Sequence, residues 1–309
     1  NKHEYLVNLL DYSLEEQRNW CSTFYLLKCF YEYVDRNLIG EILDRKKMAG
    51  DKNQFKMEEL THLMYQQVYA NAFLQERGIA HGDISPNTIF VSPKNEFKLA
   101  FRMNEMMTPE RVQVDKAIKN EPLYLAPAFY EAVKQRTLDK LKHNQHKSDM
   151  FALGLTVLQA GLMKGVQDIY VGDRFDARKL EELLLEFETK YEDNPLLYTS
   201  VRKMCEINED ERPDFISLKS ALPEYDVIKD YFQKVEAGIY EEEQIDEQGT
   251  TDSMKDGLNY HYEADQYGQP IQGHDFNAFD DSHGYQNQQY LQGQGFGGQG
   301  VGPAAMNFN

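Results

Sequence analysis

The chain has 309 residues, of which 41% are hydrophobic, and it carries a formal net charge of −18 at pH 7. This length and composition fit one large globular domain or two small ones, and the acidic charge excludes a dedicated nucleic-acid binder. The sequence contains no charged-then-apolar leader and no apolar run of about 18 residues, so it predicts neither a signal peptide nor a membrane span. Three cysteines, Cys21, Cys29 and Cys205, lie in hydrophobic contexts. They favour buried thiols in a reducing, cytoplasmic compartment.

The first predicted elements are two strands and two helices. Residues 3–12 alternate apolar and polar side chains before an acidic stretch that reads as a turn, and residues 23–34 are rich in aromatic and aliphatic side chains. A short helix is predicted over 38–47. Apolar side chains at helical spacing then predict a longer helix over 57–77, which Gly78 ends.

Later elements are mostly helical. They are a hairpin over 89–91 and 97–101, a long loop over 102–123, an apolar central helix over 149–163, an amphipathic helix over 176–191, and helices near 196–207 and 215–236.

From about residue 240 the composition changes to Gln, Gly, Asn and Asp. Residues 240–309 carry twelve acidic side chains against one lysine, and only five Leu, Ile or Val residues. Such a segment buries too little apolar surface to offset its ordering entropy, so it should be disordered on its own. Its spaced tyrosines and phenylalanines predict an arm that docks on a protein partner. The alternative is a solvated linker with incidental aromatic residues.

A motif stands in the middle of the chain. Residues 81–90 read His-Gly-Asp-Ile-Ser-Pro-Asn-Thr-Ile-Phe. This stretch resembles the catalytic loop of eukaryotic protein kinases, H-R-D-L-x-x-x-N, in which Asp is the base and Asn holds a magnesium ion. His81 and Asp83 match that pattern, whereas Gly82 replaces the arginine and Thr88 stands in the position of the asparagine.

Other segments resemble elements of the same family in the same order. They are residues 3–12 (fourth strand), 25–33 (fifth strand and hinge), 125–128 (A-P-E element), 147–154 (start of the central helix) and 212–213 (late R-P element). By this resemblance Tyr31 is the gatekeeper, and Glu32 and Tyr33 begin the hinge that would read adenine. Asp149 would accept hydrogen bonds from N–H groups of the catalytic loop, and His81 would support the loop from below.

Several departures from the family pattern concern chemistry. Phe101 occupies the position of the D-F-G aspartate, and no aspartate lies anywhere from 84 to 114. Ala128 replaces the A-P-E glutamate, which leaves Arg212 without its usual partner and makes Glu131 the candidate substitute. The family's glycine-rich loop, lysine strand and glutamate helix would precede residue 1.

The resemblance therefore implies an α+β, protein kinase-like fold. We expect a partial N-lobe and hinge over 1–36, a helical C-lobe over 37–238 and a low-complexity tail over 239–309. The missing metal ligands predict a catalytically inactive scaffold or structural protein, in which Asp83 is a vestige of the base and His81 and Asp149 are structural. Losing a metal that supplies several kcal/mol of transition-state stabilisation costs roughly three powers of ten or more in rate.

The predicted ligands and partners follow from this interpretation. No metal site and no cofactor are expected, and any ATP would bind without magnesium at the hinge residues Glu32 and Tyr33. The predicted partner is a protein in a multi-subunit assembly, a cytoskeletal or ciliary one, contacted through residues 240–309, with no nucleic acid and no membrane. Two alternatives stay open, an atypical active serine/threonine kinase that uses Asp83 as base and a pseudokinase that senses ATP.

Overall fold

The computed structural model describes residues 2–48, 50–101, 109–119 and 121–236, so the predicted arm at 240–309 lies outside the described residues. Within these ranges the protein combines small antiparallel sheets with a larger set of helices, and the predicted α+β class is confirmed. No helix in these ranges is both long enough and apolar enough to cross a lipid bilayer.

The front of the domain is an antiparallel hairpin of strands β1 (Leu9–Asn19) and β2 (Ser22–Tyr31). The turn predicted in the acidic stretch is wrong, because β1 continues through it and places Glu16 opposite Tyr25. Acidic side chains are tolerated there because nearly every residue of both strands is exposed. In this hairpin Cys21 is exposed and Cys29 half-buried, so the predicted burial of the cysteines holds only for Cys205.

A three-stranded sheet forms the second element of the front. Its strands are β3 (Arg36–Asn37), β4 (Ile89–Val91) and β5 (Phe97–Leu99), in the order β3-β4-β5. The hairpin predicted over 89–101 is confirmed as β4 and β5. The N-terminal segment adds to β5, since Val7 N–H donates to the Leu99 carbonyl at 2.8 Å and Leu99 N–H donates to the Tyr5 carbonyl at 2.9 Å.

Helices form most of the remaining structure, with one further hairpin among them. In chain order they are α1 (Leu38–Arg45), α2 (Met57–Gln75), α3 (Pro109–Ile118), α4 (Pro127–Gln135), α5 (Gln145–Leu162), the hairpin β6 (Tyr170–Val171) and β7 (Arg174–Phe175), then α6 (Ala177–Lys190), α7 (Pro195–Met204), α8 (Phe215–Ala221) and α9 (Tyr225–Glu236).

Helix α5 lies at the centre of the core, as its apolar sequence predicts. Every residue from Ser148 to Leu162 is buried. Two glycines allow neighbouring helices to approach it closely. A Cβ on Gly154 would lie 2.7 Å from Cys205 Sγ, and one on Gly161 would lie 2.3 Å from Phe187 Cε2. Both distances are below van der Waals contact, so these positions accept no larger side chain without movement.

Two predictions in the second half of the chain are wrong in part. Residues 109–118 form α3 rather than the loop predicted over 102–123. The predicted helix over 215–236 is divided into α8 and α9, because Pro223 follows α8 and disfavours helical geometry at the residue before it. Leu222 accordingly has extended backbone angles, φ −77° and ψ 148°.

Candidate functional site

The loop at 81–88 follows α2 and leads into β4, and one carboxylate anchors its start. The two oxygens of Asp149 accept hydrogen bonds from the N–H of His81 at 2.7 Å and of Gly82 at 2.8 Å. Burial raises the pKa of the Asp149 carboxyl to about 7, although the two N–H groups lower it. Gly82 has φ +73°, a region that glycine adopts without steric cost. The residue that replaces the family's arginine is therefore a glycine, and its backbone geometry is one that glycine adopts readily.

His81 supports the loop from within. Its Nδ1 accepts from the N–H of Asp83 at 3.2 Å, so Nε2 carries the proton and donates to the Ala100 carbonyl at 3.1 Å. Burial lowers the pKa of His81 to about 4, which keeps the ring neutral near pH 7. The ring of Phe101, in the position of the metal-binding aspartate, contacts the His81 ring with centroids 4.7 Å apart. An aromatic ring thus replaces a carboxylate beside the loop.

Thr88 closes the same loop. Its hydroxyl donates toward the carbonyls of Asp83 at 2.8 Å and Ser85 at 3.1 Å, and it accepts from the N–H of Ser85 at 3.0 Å. Its side chain is fully buried. The oxygen that stands in the position of a magnesium ligand is therefore engaged with the backbone.

Asp83 lies beneath helix α3 and is only 7% exposed. The Lys116 ammonium forms an ion pair with Asp83 Oδ1, and the side chains of both residues are buried. One helical turn earlier, Gln113 Nε2 donates to the Gly82 carbonyl at 2.5 Å and lies 3.4 Å from Asp83 Oδ1. The carboxylate in the base position is thus covered by two side chains of the chain itself.

A small cavity adjoins these residues. It has a volume of about 20 Å³ and is lined in part by Asp83, Asp149, His143 and Ser148. In the described part of the chain, His143 Nε2 and Ser148 Oγ are buried without a hydrogen-bond partner. A polar cavity of this size holds roughly one water molecule.

The predicted hinge residues lie apart from the loop. Glu32 accepts from the N–H of Asn8 at 2.9 Å and from Lys98 Nζ at 3.0 Å. Partial burial raises the pKa of Glu32, but these two donors outweigh it and leave the pKa below its usual value. Tyr33 is 86% exposed and donates its hydroxyl to Asp35 at 2.9 Å. The structure therefore groups His81, Asp83 and Asp149 and places Glu32 and Tyr33 elsewhere.

The described residues at the loop do not fit a magnesium ion. Magnesium requires oxygen ligands in near-octahedral geometry, usually carboxylates together with waters. Phe101 offers no oxygen, the Thr88 hydroxyl is engaged, and Asp149 uses both oxygens on backbone N–H groups. Across the ranges that the structure covers, no three His, Cys, Asp or Glu side chains converge into a potential metal-binding group.

Arg212 forms hydrogen bonds with main-chain carbonyls. It is 1% exposed and donates to the carbonyls of Glu206 at 2.7 Å, Lys147 at 3.1 Å and Ile207 at 3.1 Å. Its guanidinium also lies 4.8 Å from the centre of the Phe151 ring. Among the side chains described, no carboxylate is within ion-pair distance of it, so the substitution by Glu131 considered from sequence is wrong.

Sequence reasoning missed Gln113 and Lys116. Both are polar residues on the inner face of α3, so a search for apolar periodicity cannot find them. Signals for the helix itself do exist. Pro109 stands at its first position, and Asp115 pairs with Lys119 four residues later at 2.7 Å.

Comparison with known proteins gives a consistent result. The family model described as protein tyrosine and serine/threonine kinase matches residues 1–222. Two Caenorhabditis elegans proteins are similar over shorter stretches. Cyclin-dependent kinase 12 is 31% identical over 103 residues, 32% of this chain and 13% of that protein. Cyclin-dependent kinase 17 is 31% identical over 75 residues, 24% of this chain and 10% of that protein.

Proposed function

Because the chain belongs to the protein tyrosine and serine/threonine kinase family, we propose that it is a catalytically inactive member that acts as a scaffold or structural protein. One observation carries the proposal. The carboxylate of Asp83, which would accept the proton of a substrate hydroxyl, is buried and paired with Lys116. A base must lie within hydrogen-bond reach of the proton that it removes, and Lys116 competes with a substrate for the same carboxylate.

The metal positions support the same conclusion. Phosphoryl transfer depends on metal ions that position the phosphates and neutralise the developing charge. Thr88 and Phe101 stand where the two protein ligands would be, and neither presents a free oxygen to the site. A retained base does not replace that contribution, because a base accepts the proton of the attacking hydroxyl and does not neutralise the charge that develops on the phosphoryl group.

A phosphotransfer assay tests the proposal. The full-length protein and its Asp83→Asn variant would be incubated with labelled ATP, magnesium or manganese, and a panel of serine, threonine and tyrosine peptides. We expect incorporation at the background level for both proteins. Incorporation by the wild-type protein that disappears in Asp83→Asn would overturn the proposal.

The second candidate is an atypical active kinase, favoured by the preserved arrangement of His81, Asp83 and Asp149. In that case Lys116 would leave Asp83 when substrate binds. The same assay distinguishes the two candidates. A thermal-shift titration with ATP, with and without magnesium, tests the related possibility of nucleotide sensing. Saturable stabilisation by ATP alone would support sensing, and an unchanged unfolding temperature in the full-length protein would exclude it.

Residues 240–309 are the proposed contact to a protein partner in a larger assembly, a cytoskeletal or ciliary one. Their net charge of −11 favours a basic partner surface, and their nine tyrosines and phenylalanines from Tyr260 to Phe308 provide anchors. Photo-crosslinkers at Tyr267 and Phe279 should capture one common partner, whereas a crosslinker at the exposed Val227 of α9 should not. Equal capture at all three positions would contradict a role specific to the tail.

A further inference from the structure

The two side chains that connect α3 to the catalytic loop, Lys116 and Asp83, are both buried. The Asp83 side chain is 7% exposed and the Lys116 side chain 6%. Burying an isolated carboxylate or ammonium is costly, whereas a buried pair with additional hydrogen bonds is tolerated. The loop therefore holds an ammonium group inside the protein, at the position where the family resemblance places a substrate hydroxyl.

The helix that carries this ammonium is positioned by contacts on two sides. Gln113 lies three residues before Lys116, on the same face, and its amide donates to the Gly82 carbonyl. Val114 and Ala117 pack against a separate apolar cluster formed by residues of α4 and the segment before it, namely Leu123, Leu125, Phe129, Tyr130 and Val133. The apolar contacts place the helix, and Lys116 and Gln113 connect it to the loop.

We propose that the degenerate catalytic loop is an ammonium-binding site, whose ligand is the Lys116 side chain, and that this contact holds α3 over Asp83. The ligand class is a primary ammonium, because Asp83 Oδ1 accepts a hydrogen bond from a side chain that ends in an –NH₃⁺ group. The inference rests on the proposed function in treating Asp83 as engaged by the protein rather than by a substrate. It explains why an aspartate persists beside lost metal ligands, since Asp83 is the counter-ion that keeps α3 in place.

Chemical rescue tests the site directly in the full chain. Lys116→Ala removes the ammonium but keeps a good helix former, and it should lower the unfolding temperature by roughly 10 °C. Adding n-propylammonium should then restore roughly 3 °C in a saturable way. Neither n-propanol, which lacks the charge, nor tetramethylammonium, which lacks N–H donors, should do so. The matched control is Lys119→Ala, at the residue directly after the same helix. The Lys119 side chain is 58% exposed, so this substitution should leave the unfolding temperature nearly unchanged.

A double-mutant cycle keeps the proposal testable if Lys116→Ala does not fold. Asp83→Asn with Lys116→Met removes both charges, so this double variant should be more stable than Lys116→Met alone. Hydrogen exchange should speed up at α3 in Lys116→Met while α6 stays unchanged. Additive single effects, or rescue by n-propylammonium that persists in an Asp83→Asn background, would overturn the inference. Phosphotransfer that requires Asp83 would instead overturn the proposed function, so the two failures are distinguishable.

Discussion

The Thr88 hydroxyl lies 2.8 Å from the carbonyl of Asp83, so a side chain in the position of a metal ligand closes the loop on itself. Thr88→Val keeps the shape of the side chain and removes the oxygen. The N–H of Ser85 and the carbonyl of Asp83 would then lose a buried partner, whereas the carbonyl of Ser85 keeps the N–H of Thr88 at 3.0 Å. Each buried group that loses its partner costs about 1–3 kcal/mol. We expect the free energy of unfolding to fall by at least that amount.

Urea denaturation followed by circular dichroism is the suitable measurement, because the single tryptophan, Trp20, is 99% exposed and reports poorly on the core. Thr88→Ser retains the hydroxyl and is the matched control, with a smaller loss of stability. A Thr88→Val variant that is as stable as Thr88→Ser would show that the hydroxyl contributes no more than the methyl group, and it would contradict the hydrogen-bonding role.

Arg212 provides a second prediction. Arg212→Met preserves much of the side-chain volume but removes the donor to the carbonyls of Glu206, Lys147 and Ile207. The Lys147 carbonyl still accepts a hydrogen bond within helix α5, so the carbonyls of Glu206 and Ile207 lose the most. With about 1–3 kcal/mol for each of these two groups, we expect a loss of roughly 2 kcal/mol or more in the free energy of unfolding. Arg178→Met is the control, because that side chain is 92% exposed. A loss below about 1 kcal/mol for Arg212→Met would show that water replaces the guanidinium at these carbonyls.

The residues of the catalytic loop could be located from sequence because they resemble a motif of the kinase family that is contiguous in sequence. His81 and Asp83 belong to one contiguous motif, and Asp149 stands in the first half of helix α5 at the start of its apolar stretch, which the hydrophobic pattern reveals. Their sequence-predicted roles remain predictions, although both Asp149 oxygens accept N–H groups of the loop.

The residues that cover Asp83, Gln113 and Lys116, could not be located from a contiguous motif. Lys116 reaches Asp83 across 33 positions of sequence, through a helix whose inner face is polar. The partners of Arg212 could not be predicted from sequence either. The family pattern suggested a carboxylate, whereas Arg212 donates to three main-chain carbonyls. Carbonyl acceptors leave no signature in residue identity.

Close packing around α5 gives a third prediction. Gly161→Ala would place a Cβ 2.3 Å from Phe187 Cε2 and 3.1 Å from Leu60 Cδ1. Overpacking a filled core costs about 1–3 kcal/mol, partly offset by the higher helix propensity of alanine, worth about 1 kcal/mol. We therefore expect a net loss of stability in thermal unfolding. Gly165→Ala is the control, because nothing lies within 4 Å of its added Cβ. Similar effects of the two substitutions would mean that Phe187 moves aside freely.

The neutral, buried His81 predicts how stability depends on pH. Burial lowers its pKa in the folded protein from 6.5 to about 4. Between these values the unfolded chain binds a proton that the folded protein does not, so the contribution of His81 is complete above pH 6.5 and is lost as the pH falls toward 4. At about 1.36 kcal/mol per pKa unit, the loss amounts to roughly 3 kcal/mol.

Asp149 has the opposite effect, because its pKa is raised from 3.8 in the unfolded chain to about 7 in the folded protein. As the pH rises between these values, Asp149 lowers the free energy of unfolding. The pH dependence of the unfolding free energy of the wild-type protein therefore combines the contributions of His81 and Asp149. The difference in unfolding free energy between wild type and His81→Gln removes the Asp149 contribution, provided that its hydrogen bonds persist in the variant. We expect this difference to shrink as the pH is lowered from 6.5 to 4.5, measured by urea denaturation at each pH. Parallel curves would show that His81 takes up its proton in the folded protein as readily as in the unfolded chain.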